Sequence, residues 1–234
     1  MGVIMKKIGF IILTILSLFL IYRHFDNHQI NYVSIGDGLI KGMNSKNQIN
    51  YGYNDFVKEY LKRKEHLSSF NNSFYNNKVS GLTEDVKKNR TIWEGNNEYY
   101  IKKLLRESDM LVISVGMEEL SNNYDKFNME HNYIYFNKMY VEIEKLITEI
   151  KKYAKGTILF VGYYNPTTYY DSKTDEFFCD MDIKLNRLMM INDISYIDMY
   201  EMVKGNRYKD NLDTPFLNIR GYEKLAETIE FYLE

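Results

Sequence analysis

Cysteine is nearly absent from this chain, with Cys179 alone among 234 residues. An internal disulfide is excluded, no cysteine cluster exists to hold zinc, and the lone thiol reads as a buried or half-buried side chain. Proline is almost as scarce, at Pro166 and Pro215 only, and no low-complexity linker divides the chain. A surplus of one charge is also missing. The net charge is −2 and the pI is near 6.1, and no basic stripe alternates with aromatics, so nucleic acid is not an expected partner. Histidine is limited to His24, His28, His66 and His131. Nothing in the pattern calls for a cofactor or a resident metal.

What is present suits one globular domain of about 200 residues behind an N-terminal extension, since 45% of residues are hydrophobic and 26% charged. The extension carries the one long apolar run, Ile8 to Tyr22, preceded by Lys6-Lys7 and followed by Arg23. As a helix it spans roughly 22 Å, short of the ~30 Å hydrocarbon layer unless Lys7 and Arg23 snorkel. The segment Tyr22-Arg23-His24-Phe25-Asp26 offers no small-residue cleavage site and no lipid-accepting cysteine. Residues 1–30 are therefore expected to be a membrane anchor or uncleaved signal, with residues 31–234 as the folded domain. Two lysines before the run against one arginine after it place the N-terminus in the cytoplasm and the domain outside the cell membrane, attached by a single pass.

The domain opens on Asn31 to Leu39, Asn-Tyr-Val-Ser-Ile-Gly-Asp-Gly-Leu, which reads as a short strand entering a tight turn at Gly36-Asp37-Gly38. A helix is predicted over Tyr51 to Arg63, a weak strand over Phe74 to Val79, and a helix after Thr83 as its cap, with Gly81 in the turn before it. Asn96 to Ser108 has helical spacing. Met110 to Val115 is a buried strand ending at Gly116-Met117-Glu118-Glu119. Further helices are predicted over Tyr135 to Tyr153, Phe177 to Met190 and Glu223 to Leu233, and further strands over Thr157 to Val161 and Ile194 to Asp198. Strands alternating with long helices give an α/β fold with a parallel sheet covered on both faces.

Four segments of this pattern resemble the sequence blocks of the SGNH/GDSL hydrolases. Gly36-Asp37-Gly38-Leu39 stands where the family has Gly-Asp-Ser-Leu, Gly81 where it has its second-block glycine, and Gly116-Met117-Glu118-Glu119 where it has Gly-x-Asn-Asp. Asp213 through Phe216 and Asn218 to Gly221-Tyr222 follow Asp-x-x-His-x-Asn-x-x-Gly-Tyr. The segment Gly162-Tyr163-Tyr164-Asn165-Pro166 also resembles membrane-tethered members of Gram-positive bacteria. The resemblance implies a three-layer α/β/α sandwich around a parallel sheet of about five strands, flavodoxin-like in winding. It also implies a serine ester hydrolase whose nucleophile, general base and oxyanion donors lie in these blocks.

Here the chemistry departs from the pattern. Gly38 replaces the serine, Phe216 the histidine and Glu118 the oxyanion-hole asparagine. Ester hydrolysis of this kind needs a hydroxyl to attack, a base to take its proton and donors for the oxyanion. Gly38 has nothing to acylate and Phe216 cannot move a proton. An ionised Glu118 would turn a donor worth about 3 kcal/mol into a repulsion. Asp213 loses the imidazole it would orient. The expectation is a degenerate homologue that binds or scaffolds at the cell envelope, with a carbohydrate, lipid or peptide ligand.

Two alternatives stay open on the sequence. Ser34 or Ser80 could serve a relocated site, with His131 the least improbable base. Otherwise Asp37, Glu118, Glu119 and Asp213 could form a carboxylate-based site for a hard cation or for acid/base chemistry, in an active hydrolase of envelope lipid or polysaccharide esters. Against the latter, the favoured reading has Asp37 and Asp213 as turn residues bonded to nearby backbone, with Glu118 and Glu119 solvated, since without histidine the sequence fixes no ligand spacing. Asp37, Glu119, Asn165 and Asn218 are the residues expected to line any pocket, and Tyr163, Tyr164, Tyr169 and Tyr170 could wall a groove.

Overall fold

The computed structural model describes residues 29–94, 96–167, 171–205, 207–210 and 214–233. The expected anchor, and with it His24 and His28, lies outside the described residues, as do Asp213, Tyr169 and Tyr170. Among those described, no helix is long and apolar enough to cross a membrane.

Five parallel strands form the centre: β1 (Ile30–Gly36), β2 (Leu67–Asn71), β5 (Met110–Ser114), β6 (Thr157–Val161) and β7 (Ser195–Ile197), in the order β2-β1-β5-β6-β7. Every residue of β5 is buried, because a strand with neighbours on both sides and helices on both faces meets no water and so takes a continuous apolar run. β1 shows how the faces divide. Tyr32 and Ser34 point to α1 (Tyr53–Arg63), where their hydroxyls meet Asn54 Oδ1 and Tyr53 Oη, each at 2.8 Å. Strand alternation sends Val33 and Ile35 to the other face. Around the sheet, α1 packs on the closing helix α8 (Ile219–Glu230), while α2 (Val79–Lys87) packs on α5 (Met129–Ile150), and α5 on α6 (Ser172–Ile191). Short helices α3 (Ile101–Glu107), α4 (Met117–Asn123) and α7 (Met199–Val203) complete the covering.

Three expectations are corrected. The second strand is Leu67–Asn71 rather than Phe74–Val79; it is a half-buried edge strand, and its Ser68-Ser69 centre hides the apolar alternation. Tyr75 contributes only a single bridge to Gly36. Asn96 to Ser108 is not one helix. Its first part is β4 (Asn97–Tyr100), paired antiparallel with β3 (Thr91–Glu94), and the helix begins at Ile101, since β-prone Tyr99 and Tyr100 pair with Ile92 and Thr91 instead of winding. Thr83 is no cap: it lies inside α2, its hydroxyl donating to Val79 O at 3.0 Å, and Gly81 stands in that helix rather than in a turn.

Candidate functional site

The strand order reverses between β1 and β5, and in such sheets the ligand crevice lies beyond the carboxyl ends of the two strands at that point. Those ends are Gly36 and Ser114. They come so close that a Cβ on Gly36, where φ is +148°, would sit 1.7 Å from Ser114 O, so only glycine fits. The approach lets Asp37 N–H donate to Ser114 O at 2.7 Å and starts a one-turn 3₁₀ helix over Gly38–Lys41.

Asp37 is fully buried and caps that turn, accepting from Leu39 N at 3.2 Å through Oδ1 and from Glu118 N at 3.1 Å through Oδ2. Burial pushes its carboxyl up to about 7, the nearby Glu118 charge adding to the rise and the backbone N–H groups opposing it. Both oxygens are spent on the backbone. Asp37 thus ties the end of β1 to the start of α4 and presents no oxygen to a crevice.

Gly38 lies between two side chains. Its N–H, which the resemblance gives to oxyanion binding, donates to Glu118 Oε2 at 3.0 Å, and Tyr75 Oη reaches Glu118 Oε1 at 3.3 Å. On the other side is Phe216, only 2% exposed. A methyl group on Gly38 would meet Phe216 Cε1 at 2.5 Å, Cζ at 2.8 Å and Met43 Sδ at 2.7 Å. The Phe216 ring fills the space that a side chain at position 38 would enter. No imidazole is among the atoms a side chain at Gly38 would meet first.

The remaining candidates disperse. Glu119 turns away, accepting from Val79 N at 2.8 Å and from Tyr135 Oη at 3.0 Å, so it caps α2, whose own N-cap residue Lys78 offers no side-chain bond. Gly81 is covered by the Asn76 side chain. Asn165 is buried, its Oδ1 holding Thr167 N–H and hydroxyl at 2.9 and 2.8 Å and its carbonyl accepting from Lys209 Nζ at 2.9 Å. Asn218 caps α8 through Gly221 N at 3.0 Å. Tyr163 and Tyr164 are buried with hydroxyls on Val115 O and Pro215 O, and Tyr164 lines, with Asn165, only a narrow cleft of about 10 Å³. Ser34 is bonded to Tyr53, Ser80 is exposed on α2, and exposed His131 stacks on Tyr135. Among the described residues no group of three His, Cys, Asp or Glu side chains is placed to hold a metal ion.

Sequence reasoning named Tyr164 as a groove wall and Tyr222 as part of the last block, but missed that their hydroxyls fasten this rim. Tyr222 Oη donates to Met43 O at 2.6 Å and Tyr164 Oη to Pro215 O, so the loops carrying Met43 and Phe216 are each held by a buried phenol. The one available signal was the tyrosine-rich composition, 22 residues, which does not say which hydroxyls are buried.

The sequence matches no family model and no curated protein. Solved structures do match in fold. The lipase Lip_vut3 from a goat rumen metagenome superposes with a TM-score of 0.68 at 19% identity, covering 85% of this chain and 95% of its own. A catalytic mutant of Axe2, an acetylxylan esterase from Geobacillus stearothermophilus, superposes with a TM-score of 0.60 at 14% identity, covering 87% of this chain and 93% of its own. The fold is one that this chain shares with a lipase and an acetylxylan esterase. Several Axe2 structures are described as catalytic mutants in which a histidine, an aspartate or a serine is changed to alanine. On the same fold this chain brings glycine, phenylalanine and glutamate together at the β1 and β5 ends.

Proposed function

We propose that this chain is a membrane-tethered, extracytoplasmic relative of the SGNH hydrolases that has lost serine ester hydrolysis and serves in binding or scaffolding at the cell envelope. The observation carrying this reading is the double occupation of Gly38. Phe216 and Met43 take the volume a serine would need, and Glu118 takes the amide an oxyanion would need. A carboxylate already on that amide opposes a second negative charge there, which inverts the electrostatics on which acyl transfer depends. Tethering rests on the apolar run from Ile8 to Tyr22 and its flanking charges.

A carboxylate-based hydrolase is the competing reading, favoured by the raised titration of Asp37 beside Glu118. Against it, Asp37 is sealed from solvent with both oxygens bonded, so no substrate atom can reach it. The two readings part on a short-chain aryl ester assay. The wild type is expected to be silent, and the combined change Gly38→Ser, Glu118→Asn and Phe216→His to create turnover. Wild-type turnover lost on Asp37→Asn or Glu118→Gln would overturn the proposal.

A further inference from the structure

Behind the loop that carries Met43 lies a second concavity, unrelated to the ester chemistry. A cavity of about 340 Å³ opens between residues 42–51 and the start of α8, lined by Asn44, Gln48, Asn50, Tyr51, Asp210 and Tyr222 among others. That volume sits at the lower end of small-molecule sites, about 300–1,000 Å³. Met43 separates it from Gly38: its sulfur faces Gly38, and its carbonyl accepts the Tyr222 hydroxyl.

The walls are preformed. Met43 bridges Ile49, Asn44 N donates to Gln48 O at 2.9 Å, and Asn50 N to Gly42 O at 3.0 Å. Gly42, with φ at +65°, packs so closely that a Cβ there would lie 2.5 Å from Asn50 O. A loop fixed in this way loses little further freedom when a ligand arrives.

The chemistry of the wall selects a ligand class by elimination. The wall carries one cation, Lys46, and one carboxylate, Asp210, so its charges balance and select no anion, and Asn218 already caps the start of α8. A hard cation would find one carboxylate, with one of its oxygens bonded to Ser45 at 2.8 Å, against the six or more oxygens that calcium takes. An apolar ligand would meet only Leu217 and Ile219 as aliphatic wall.

A neutral ligand with many hydroxyls is what remains, and the unspent groups suit it. Asn44 Oδ1 is held by the N–H groups of Lys46 and Gln48, and Asn50 Oδ1 by that of Tyr51, which leaves both side-chain NH₂ groups as donors. The Gln48 amide and the second Asp210 oxygen complete a set that donates to and accepts from hydroxyls, and the Tyr51 ring gives an aromatic wall. We infer that this cavity is a carbohydrate-binding site. The inference deepens the binding role proposed above by naming its ligand class and its place.

The test uses the full chain in a detergent without a sugar headgroup. A glycan array identifies the best-bound oligosaccharide, and calorimetric titration of that free sugar compares the wild type with Gln48→Ala and Asp210→Asn. Each variant is expected to bind about tenfold more weakly, with an unchanged far-UV spectrum. Should Asp210→Asn disturb the loop through Ser45, Gln48→Ala on the exposed strand of the loop still decides. Silence of the wild type across the array, or variants that bind as it does, overturns the inference. Aryl-ester turnover would instead sink the pseudoenzyme reading and leave the carbohydrate site standing.

Discussion

Replacing Gly38 by alanine tests the central contact directly. The backbone at Gly38 is not in the left-handed region, so the substitution brings no conformational strain and its cost in the folded state is steric. The new methyl would lie 2.5 Å from Phe216 Cε1 and 2.7 Å from Met43 Sδ, distances that force a buried ring to shift. Overpacking of this kind costs about 1–3 kcal/mol, offset by about 0.4–1 kcal/mol from the reduced freedom of the unfolded chain. A net loss of about 1–2 kcal/mol is expected, lowering Tm by roughly 2–8 °C for a domain of this size. Phe216→Ala alone should cost about 3–5 kcal/mol through the cavity it leaves. The double variant removes the clash and partly refills the cavity, so it should be more stable than the sum of the singles by about 1–3 kcal/mol. Urea titration followed by far-UV circular dichroism measures all four corners of the cycle. If Gly38→Ala is neutral and the two changes are additive, Phe216 does not occupy the nucleophile position and the reasoning fails.

Other outcomes follow from the same rim. Asp37 keeps its proton up to about 7, and away from the rim burial holds that of Asp182, on α6 and accepting from Tyr196 Oη at 2.6 Å, up to about 6 in the folded state, against 3.8 when unfolded. The native protein therefore binds more protons between pH 4 and 7, and stability falls as pH rises through that window, by about 4 kcal/mol at most for Asp37; a pH series of urea midpoints checks this, and Asp37→Asn should flatten it above pH 6. Glu118→Gln removes the charge that helps raise Asp37, so the Asp37 carboxyl signal followed by NMR should titrate at lower pH than in the wild type. Tyr222→Phe loses the bond to Met43 O and should lower stability by about 1 kcal/mol, with faster amide exchange over residues 42–50. Glu119→Ala uncaps α2 and should cost about 1 kcal/mol, read by the same denaturation assay.

The parts of this molecule legible in the sequence are those where burial writes a pattern. Residues 110–113 and 158–161 are apolar throughout because water meets neither face, and the long amphipathic helices show one stripe each. Legibility failed where a neighbour in space decides. Leu67–Asn71 is a strand because β1 pairs with it, not because its serines favour one. Thr91–Tyr100 is a hairpin because two weak strands complete each other. At the rim, the positions of Gly38, Glu118 and Phe216 were readable, but a sequence cannot say whether the space left by a lost side chain stays open. Nor could two adjacent glutamates declare that one faces Gly38 N–H while the other turns to Val79 N; a helical turn beginning at Met117 sets that division.

Gly38, Phe216 and Glu118 are coupled through contact, which bears on how ester chemistry could be introduced. A serine at position 38 alone places its Cβ against the Phe216 ring, so it should destabilise the fold before it can act as a nucleophile. A histidine at 216 alone finds no hydroxyl to deprotonate. An asparagine at 118 alone withdraws the acceptor from Gly38 N–H unless its shorter side chain still reaches. Each single substitution thus loses packing or a hydrogen bond and gains no chemistry, and only the combined change both relieves the clash and supplies nucleophile and base. Met43 Sδ would still lie 2.7 Å from the new Cβ, but it is near the end of a flexible side chain and can move. The triple variant should consequently be more stable than Gly38→Ser alone, an ordering that denaturation can read even where turnover is slow.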